Sequence, residues 1–374
     1  VNEHQIGIVG GGLAGLTAAL ALSRHGYDIA VFESVPYPHH KVCGEYLSNE
    51  ILPYLDALDI NLFAAGGKAI TRFEISSIQG KKAECQLPLG GVGISRYAID
   101  HLLYQTAKQR KVTFYFEKVS DIRFDGKGFT VVSRQRSVRA SIVIGAYGKR
   151  SGLDKTLNRS FIQKKTDWLA LKVHYTYPEF PDDLVALHNF KGGYGGLSNT
   201  ESGHVNFCYL AQYKVFKEFK EVSAFNERIV SQNPHLRDFL RKAEPIFEDS
   251  LSIGQISFES KEPVVNHILM CGDTAGLIHP LCGNGMAMAI HSGKLVSECV
   301  HDFFNGRHKK RPDLEEAYKK SWNQNFKDRL RYGRIFQRLL LQPQLLHWGI
   351  ATLAQSETWL QKMITKTHGK IVSS

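Results

Sequence analysis

The sequence predicts an α/β fold, α+β over the whole chain. A Rossmann-like dinucleotide-binding domain is interrupted by a mostly antiparallel β-sheet domain and followed by a C-terminal helical segment. Three observations carry this. Gly10-Gly11-Gly12-Leu13-Ala14-Gly15 joins a short apolar strand to a helix near the start of the chain. A second glycine-rich run, Cys271-Gly272-Asp273-Thr274-Ala275-Gly276, follows a late apolar strand. Between them, residues 166–261 change to short alternating strands. A simple dehydrogenase would instead show two consecutive βαβαβ halves.

Taken in order, residues 6–9 read as a buried strand. Gly10 permits a tight turn, Gly12 lets the backbone approach a pyrophosphate, and Gly15 lets helix and strand pack closely. The helix that follows offers its N–H groups and partial positive charge to phosphates, and Gly26 ends it. The strand at 29–32 leads to Glu33, 18 residues past Gly15, the spacing of an acid that bonds a ribose hydroxyl and disfavours a 2′-phosphate. Gly10, Gly12, Leu13, Ala14, Gly15, Glu33 and Ser34 are therefore the candidates to hold the dinucleotide. Residues 36–66, with three prolines and Cys43-Gly44-Glu45, read as irregular. A helix to about residue 108 and a β-rich run at 112–116 come next. Strands at 122–124 and 129–133 form a hairpin turned by Asp125-Gly126-Lys127-Gly128, and a strand at 141–146 returns.

The inserted region reads as strands at 169–177, 185–190, 204–210 and 253–258, with a helical insert near 215–242. Such a run forms a sheet in a separate layer. Gly192-Gly193-Tyr194-Gly195-Gly196 reads as a loop roofing a substrate cavity, with an ordinary glycine-rich hairpin turn as the alternative. A last parallel strand at 268–271, a helix at about 284–304 and a helical tail from 313 complete the chain. The nucleotide domain thus comprises 1–70, 90–165 and 262–310, the sheet domain 71–89 and 166–261, and the helical region 311–374.

Composition narrows the classes. The 374 residues are 43% hydrophobic, ordinary for a globular protein, and no run reaches the ~18 apolar residues of a membrane span. The early first strand leaves no room for a signal peptide. Six cysteines without CxxC or zinc spacing read as reduced thiols of a cytoplasmic protein, and no metal site is expected. The net charge is +11, and residues 301–374 hold 14 Lys/Arg against 6 Asp/Glu. Arg329, Arg331, Arg334 and Arg338 share a helix with Phe336, Leu339, Leu340 and Leu341. That helix is a candidate membrane-peripheral or anionic-partner face; the alternative is a solvated helix packing its apolar side on the body of the protein. No nucleic-acid motif accompanies the charge.

Four blocks in order resemble the flavoprotein superfamily of p-hydroxybenzoate hydroxylase, which includes aromatic hydroxylases, geranylgeranyl reductases and flavin-dependent halogenases. They are the first glycine motif with Glu33, Arg96 in Ser-Arg-Tyr-Ala-Ile-Asp, residues 145–151 with Gly148, and Gly272-Asp273 through Gly285. The resemblance covers roughly residues 1–300 and implies FAD. Asp273 would accept a hydrogen bond from the ribityl chain, and Arg96 would help hold the phosphate or ribityl portion. Pro280, Gly283, Asn284, Gly285 and Met286 would lie beside the isoalloxazine, where the following helix presents its positive end. Cys43-Gly44-Glu45 is similar to a segment of the reductase-like branch that lies close to the flavin.

Two departures matter. Tyr147 stands where hydroxylases carry an Asp linked to FAD and NAD(P)H, which puts the standard nicotinamide-binding mode in doubt. The Trp-x-Trp-x-Ile-Pro motif of tryptophan halogenases is absent. The expected activity is FAD-dependent oxidoreduction, with NADPH or NADH as transient donor and an apolar small molecule as substrate. Hydroxylation of a bulky aromatic through reduced FAD and O2 leads; reduction of a C=C bond as in geranylgeranyl reductases follows, and a non-catalytic flavin-binding protein is the third reading. Cys43, Glu45, Tyr194 and His279 are the catalytic candidates, with a structural salt-bridge partner as the alternative for Glu45. His279 and His291 flank the flavin turn as candidate proton shuttles; with no readable partner for either, a structural role is the favoured reading. The sheet aromatics Trp168, Tyr175, Phe190, Phe207 and Tyr209 are candidates to line the cavity, although alternating aromatics of this kind read for the most part as buried sheet core.

Overall fold

Parallel pairing around the first strand builds the nucleotide sheet. In the computed structural model, which describes residues 2–280, 283–340, 342–354 and 356–373, Asn2–Val9 lies between Ile29–Phe32 and Ser137–Gly145. Thr113–Tyr115 extends the sheet beyond Ile29–Phe32, and Ile268–Met270 extends it beyond Ser137–Gly145, all parallel. Ile6, Ile8, Val31 and Ile144 are fully buried, as expected for parallel strands covered on both faces. The expected hairpin forms as Val119–Phe124 against Phe129–Ser133. The helix Leu13–Ser23 is buried on nearly every side, the mark of a helix inside a core. It packs against Gly285–Phe304 so closely that a Cβ on Gly293 would lie 2.6 Å from the Ala14 carbonyl oxygen.

The second sheet has nine strands. Its order runs Glu244–Pro245, Trp168–Thr176, Val205–Gln212, Gly193–Asn199, Leu184–Phe190, Lys68–Ser76, Lys82–Gly93 and Tyr46–Ser48, with Leu251–Gly254 also on Trp168–Thr176. Every pairing is antiparallel except Leu184–Phe190 with Lys68–Ser76. Period-two alternation sorts its faces. Leu171, Tyr175, Phe207 and Tyr209 pack against Phe225, Leu236 and Phe239 of the helical insert, while Ala170, Lys172, His174, Asn206, Cys208 and Leu210 face the nucleotide-binding side of the molecule.

Several expectations are corrected. The glycine-rich stretch at 192–196 is not a loop over a cavity: Gly192, at φ +78, ends the Lys191-Gly192 hairpin turn, as the alternative expected, and the other glycines belong to Gly193–Asn199, an interior strand of the second sheet. Its glycines are set by crowding, since a Cβ on Gly193 would meet the Leu210 carbonyl oxygen at 2.2 Å and one on Gly195 would meet Phe207 at 2.5 Å. Residues 36–66 contain the strand Tyr46–Ser48 and the helix Leu52–Ala57. Lys68–Ser76 and Lys82–Gly93 run past both ends of 71–89. The last strand of the insert is Leu251–Gly254 rather than 253–258.

The tail forms Arg311–Leu340, Pro343–Leu353 and Glu357–Thr367. Leu314, Tyr318, Trp322 and Phe326 seat the long helix on the nucleotide core, and the Tyr318 hydroxyl donates to the Met270 carbonyl at 2.6 Å. Cys282 and Leu341 lie outside the described residues, as do the side chains of Leu339 and Leu340. Cys43, Cys85, Cys208, Cys271 and Cys299 are free thiols.

Candidate functional site

The glycine turn and Glu33 meet at one end of a long cavity. A Cβ on Gly10 would lie 2.2 Å from the Ala146 carbonyl oxygen, and one on Gly15 would lie 2.0 Å from that of Gly10. The Glu33 carboxylate accepts from the Gly11 N–H at 3.1 Å and from the Ser34 N–H at 2.7 Å. Burial pushes the Glu33 acid up, but Lys41 and the Ser34 N–H outweigh it and hold the group below its usual range. Arg96 is fixed by Asp100 one helical turn on, in a bidentate pair of 2.7 and 2.8 Å, and Lys41 reaches the same carboxylate at 3.1 Å. The guanidinium therefore stands 3.5 Å from the Cβ position of Gly12 with its orientation set.

The second glycine segment is built from four directions. Ile268–Met270 pairs with Ser137–Gly145, which carries the chain to the 3-10 turn Gly272–Thr274. The Gly272 N–H donates to Ser292 Oγ, and the Gly148 N–H to Thr274 Oγ1, both at 2.8 Å. Arg159 donates to the Thr274 carbonyl at 2.8 Å, and Lys261 to the Asp273 carbonyl at 2.8 Å. Burial depresses the Lys261 amine to about 8, with Asp273 acting in the opposite sense. Gly12, Leu13, Ala14, Arg96, Gly148, Gly272, Asp273, Pro280, Gly283, Gly285 and Met286 all border the same cavity. Gly10, Gly15, Glu33 and Ser34 do not border it; Glu33 holds the glycine turn through the Gly11 N–H. Asn284 is fully buried, its amide donating to Glu50 at 3.2 Å and to the Thr367 carbonyl at 3.1 Å, so its side chain holds the turn rather than facing the cavity.

The segment from Lys41 to Glu45 forms the opposite wall, and all five of its carbonyls are taken. Lys172 Nζ donates to Lys41, Lys149 Nζ to Val42, the Asn206 amide to Cys43, Ser198 Oγ to Gly44 and the Ile94 N–H to Glu45. Glu45 adopts φ +54, a left-handed conformation that costs a residue with a Cβ about 1–2 kcal/mol. Its fully buried carboxylate holds that shape: it pairs with Lys172, with His174 Nε2 at 2.6 Å and with the Arg96 N–H at 2.7 Å. Burial would raise the acid, but Lys172 and His174 hold it below its usual range. His40, Glu45 and His174 place ligand-type atoms within 4.8 Å of one another. Both Glu45 oxygens are already engaged, Oε1 by Lys172 and the Arg96 N–H and Oε2 by His174. Cys43 and Tyr194 border the cavity itself.

His279 and His291 are held neutral by burial, which depresses them to about 3 and about 4. His279 packs among Trp168, Phe258 and Tyr194, and His291 packs on Phe326. Of the sheet aromatics, Tyr194 reaches the cavity lining, while the ring of Tyr209 packs on Phe225 of the helical insert. Tyr175, Phe190 and Phe207 lie on the other face of the sheet. The cavity lining on this side is mostly aliphatic, with Leu87, Val185, Leu187, Leu210, Ile256 and Ile364, and Phe73 and Tyr194 are the aromatic residues among them.

Sequence reasoning missed Lys172, His174, Asn206, Arg159, Lys261 and Asp100. One signal for the first two was present: polar residues alternate with Leu171, Val173 and Tyr175 along a strand, which marks a polar face that something must satisfy.

The residues fit FAD. The helices Leu13–Ser23 and Gly285–Phe304 both enter the cavity and begin without a side-chain cap, leaving first-turn N–H groups to an outside acceptor. Residues 3–311 match the model of the FAD binding domain family. The chain belongs to that family. It is 25% identical over 351 residues to a digeranylgeranylglycerophospholipid reductase of Methanosarcina mazei, covering 86% of this chain and 81% of the relative. It is 20% identical over 348 residues to a kynurenine 3-monooxygenase of Salinispora tropica, covering 80% and 73%. The solved structure of a geranylgeranyl bacteriochlorophyll reductase-like protein of Thermoplasma acidophilum shares the fold, with a TM-score of 0.78, 18% identity, and 98% and 93% coverage. The protein is an FAD-dependent oxidoreductase of the class that includes such reductases and monooxygenases.

Proposed function

We propose that the protein reduces C=C bonds in a long aliphatic, isoprenoid-like substrate. The observation that carries this is the aliphatic lining of the cavity beyond the Gly283–Gly285 turn. An aryl substrate would be met by ring-stacking side chains or by a base for its hydroxyl. Here the strands present mainly leucine, valine and isoleucine, with Phe73 and Tyr194 the aromatic minority. The name of the Methanosarcina relative, a reductase of a prenyl lipid, supports the same reading.

Bound and reduced FAD supplies the hydride. The chain's own residues do the rest. Arg96 and the two uncapped helix starts would hold the phosphates and the ring edge, and Asp273 would accept from the ribityl chain. The clamped segment at 41–45 keeps Cys43 at a fixed place in the cavity wall, where its thiol holds the proton destined for the second carbon. Glu45 acts as a positioning residue through Lys172 and His174. Tyr194 orients the substrate, and the aliphatic wall excludes water.

Hydroxylation keeps one observation in its favour, the rings of Tyr194 and Phe73 in the lining. One experiment separates the two. The FAD-loaded protein is incubated without oxygen, with dithionite as reductant and a geranylgeranyl lipid in detergent. A product heavier by two hydrogens per double bond is expected. Turnover only with O2, with one oxygen atom added to an aromatic substrate, would replace this reading by the hydroxylase.

A further inference from the structure

The two short C-terminal helices present apolar surface on two sides. Inward, Ile350 and Leu360 are buried against the cluster of Leu187, Tyr194, Leu210 and Leu277, and Ile364, Thr367 and His368 enter the cavity lining. Outward, Trp348 is 72% exposed and Trp359 63%. Isolated exposed apolar residues are ordinary. Here the indoles are joined by exposed Tyr332 and Ile335 on the preceding helix and by Ile371 beyond the last one.

Cations accompany all of them but Trp348. Lys362 and Lys366 follow Trp359 by three and seven residues, on one helix face, and Lys362 Nζ stands 5.3 Å from the Trp359 ring centre. Arg331 and Arg338 frame Tyr332 and Ile335, with Arg334 between them. Residues 330–373 contain six Lys/Arg and one carboxylate, Glu357, which accepts from the Gln86 N–H at 2.7 Å. Among the described residues none of these six cations lies within ion-pair distance of a carboxylate. Tryptophans at a polar–apolar boundary with unpaired Lys and Arg around them match the chemistry of an anionic lipid headgroup layer. No helix among the described residues is long and apolar enough to cross a membrane, so contact through these helices would be at the surface.

We infer that the outer face of Pro343–Leu353 and Glu357–Thr367, with the end of the preceding helix, docks on an anionic bilayer. The cavity wall formed by the inner face of these helices then receives its substrate from that bilayer. This second clause rests on the aliphatic-substrate reading.

The test is flotation of the FAD-loaded protein with phosphatidylcholine vesicles and with vesicles also containing phosphatidylglycerol. Binding to the second kind alone, weakened by added salt, is expected. The triple variant K362E/K366E/K370E should lower partitioning by at least about tenfold, and W348A/W359A by several-fold, with FAD content and melting temperature unchanged in both. No binding by the wild-type protein, or variants that bind as it does, would overturn the inference. So would a concentration-dependent dimer in sedimentation that W348A/W359A abolishes, which would give the face to a second copy of this chain. Vesicle binding needs no substrate and detergent turnover needs no vesicle, so either reading can fail while the other stands.

Discussion

Lys261 is a single amine whose environment can be read by titration. It is nearly buried, donates to the Lys149 and Asp273 carbonyls, and faces Arg159 as well as the Asp273 carboxylate. Burial pushes its affinity for a proton down from 10.5 to about 8. Between those values the unfolded chain binds the proton and the folded chain does not. This group therefore adds stability as pH rises through that window, and below about pH 8 the folded state carries the whole cost of the buried charge. In Lys261→Met that contribution disappears. The melting temperature of the wild type relative to the variant should climb from pH 8 to pH 10.5; a constant difference would show an amine of ordinary affinity. Glu45 belongs to the same scale. Its charge is compensated by Lys172 and His174, so it serves shape before chemistry, and removing one partner of such a pair typically costs about 3–5 kcal/mol.

Among the elements, Gly193–Asn199 departs furthest from sequence expectation. Glycine weakens a strand by its entropy and its lack of a side chain to pack, so a glycine cluster reads as a loop. The sheet uses the missing Cβ atoms instead: Phe207 occupies the place beside Gly195, and the Leu210 carbonyl that beside Gly193. Gly195→Ala should lower stability by about 1–3 kcal/mol through overpacking. Gly152→Ala serves as the control, because a Cβ there meets nothing within 4 Å. Thermal unfolding of both variants measures the contrast, and equal melting temperatures would refute the crowding account. The same alternation that aims Phe207 and Tyr209 at the helical insert aims Asn206 and Cys208 at the 41–45 segment. A single strand pairing thus serves both the core and the clamp.

At the scale of the molecule, the site exists only where remote segments converge. The glycine turn, Arg96, the Gly272–Thr274 turn and the start of Gly285–Phe304 border one cavity, closed on its far side by the C-terminal helices. Asp273→Ala should lower the FAD-to-protein ratio of the purified protein while circular dichroism shows the fold intact. A fully loaded, active variant would remove Asp273 from the cofactor site. Glu50 ties this assembly together: its carboxylate accepts from Arg329, from Asn284 and from the Gly369 N–H, and its carbonyl accepts from Val372. The chain's last residues are thereby fastened to the turn that starts the second cavity helix.

What the sequence by itself determined was local. A strand, three spaced glycines, a helix and an acid at a fixed distance encode a phosphate-binding turn through backbone geometry alone. That is why Gly10, Gly12, Gly15 and Glu33 were legible, as were the parallel strand at 268–270 and the helix after it. The fold class followed from the same periodicities. The tertiary structure decided what depends on facing partners. Lys172 and His174 look like strand residues until Glu45 is placed against them. Phe190 and Phe207 read as core or cavity residues alike until strand pairing turns them to the face of the helical insert. A side chain's direction in a sheet is set by register, and register is settled only when both strands, 30 or more residues apart along the chain, have found each other.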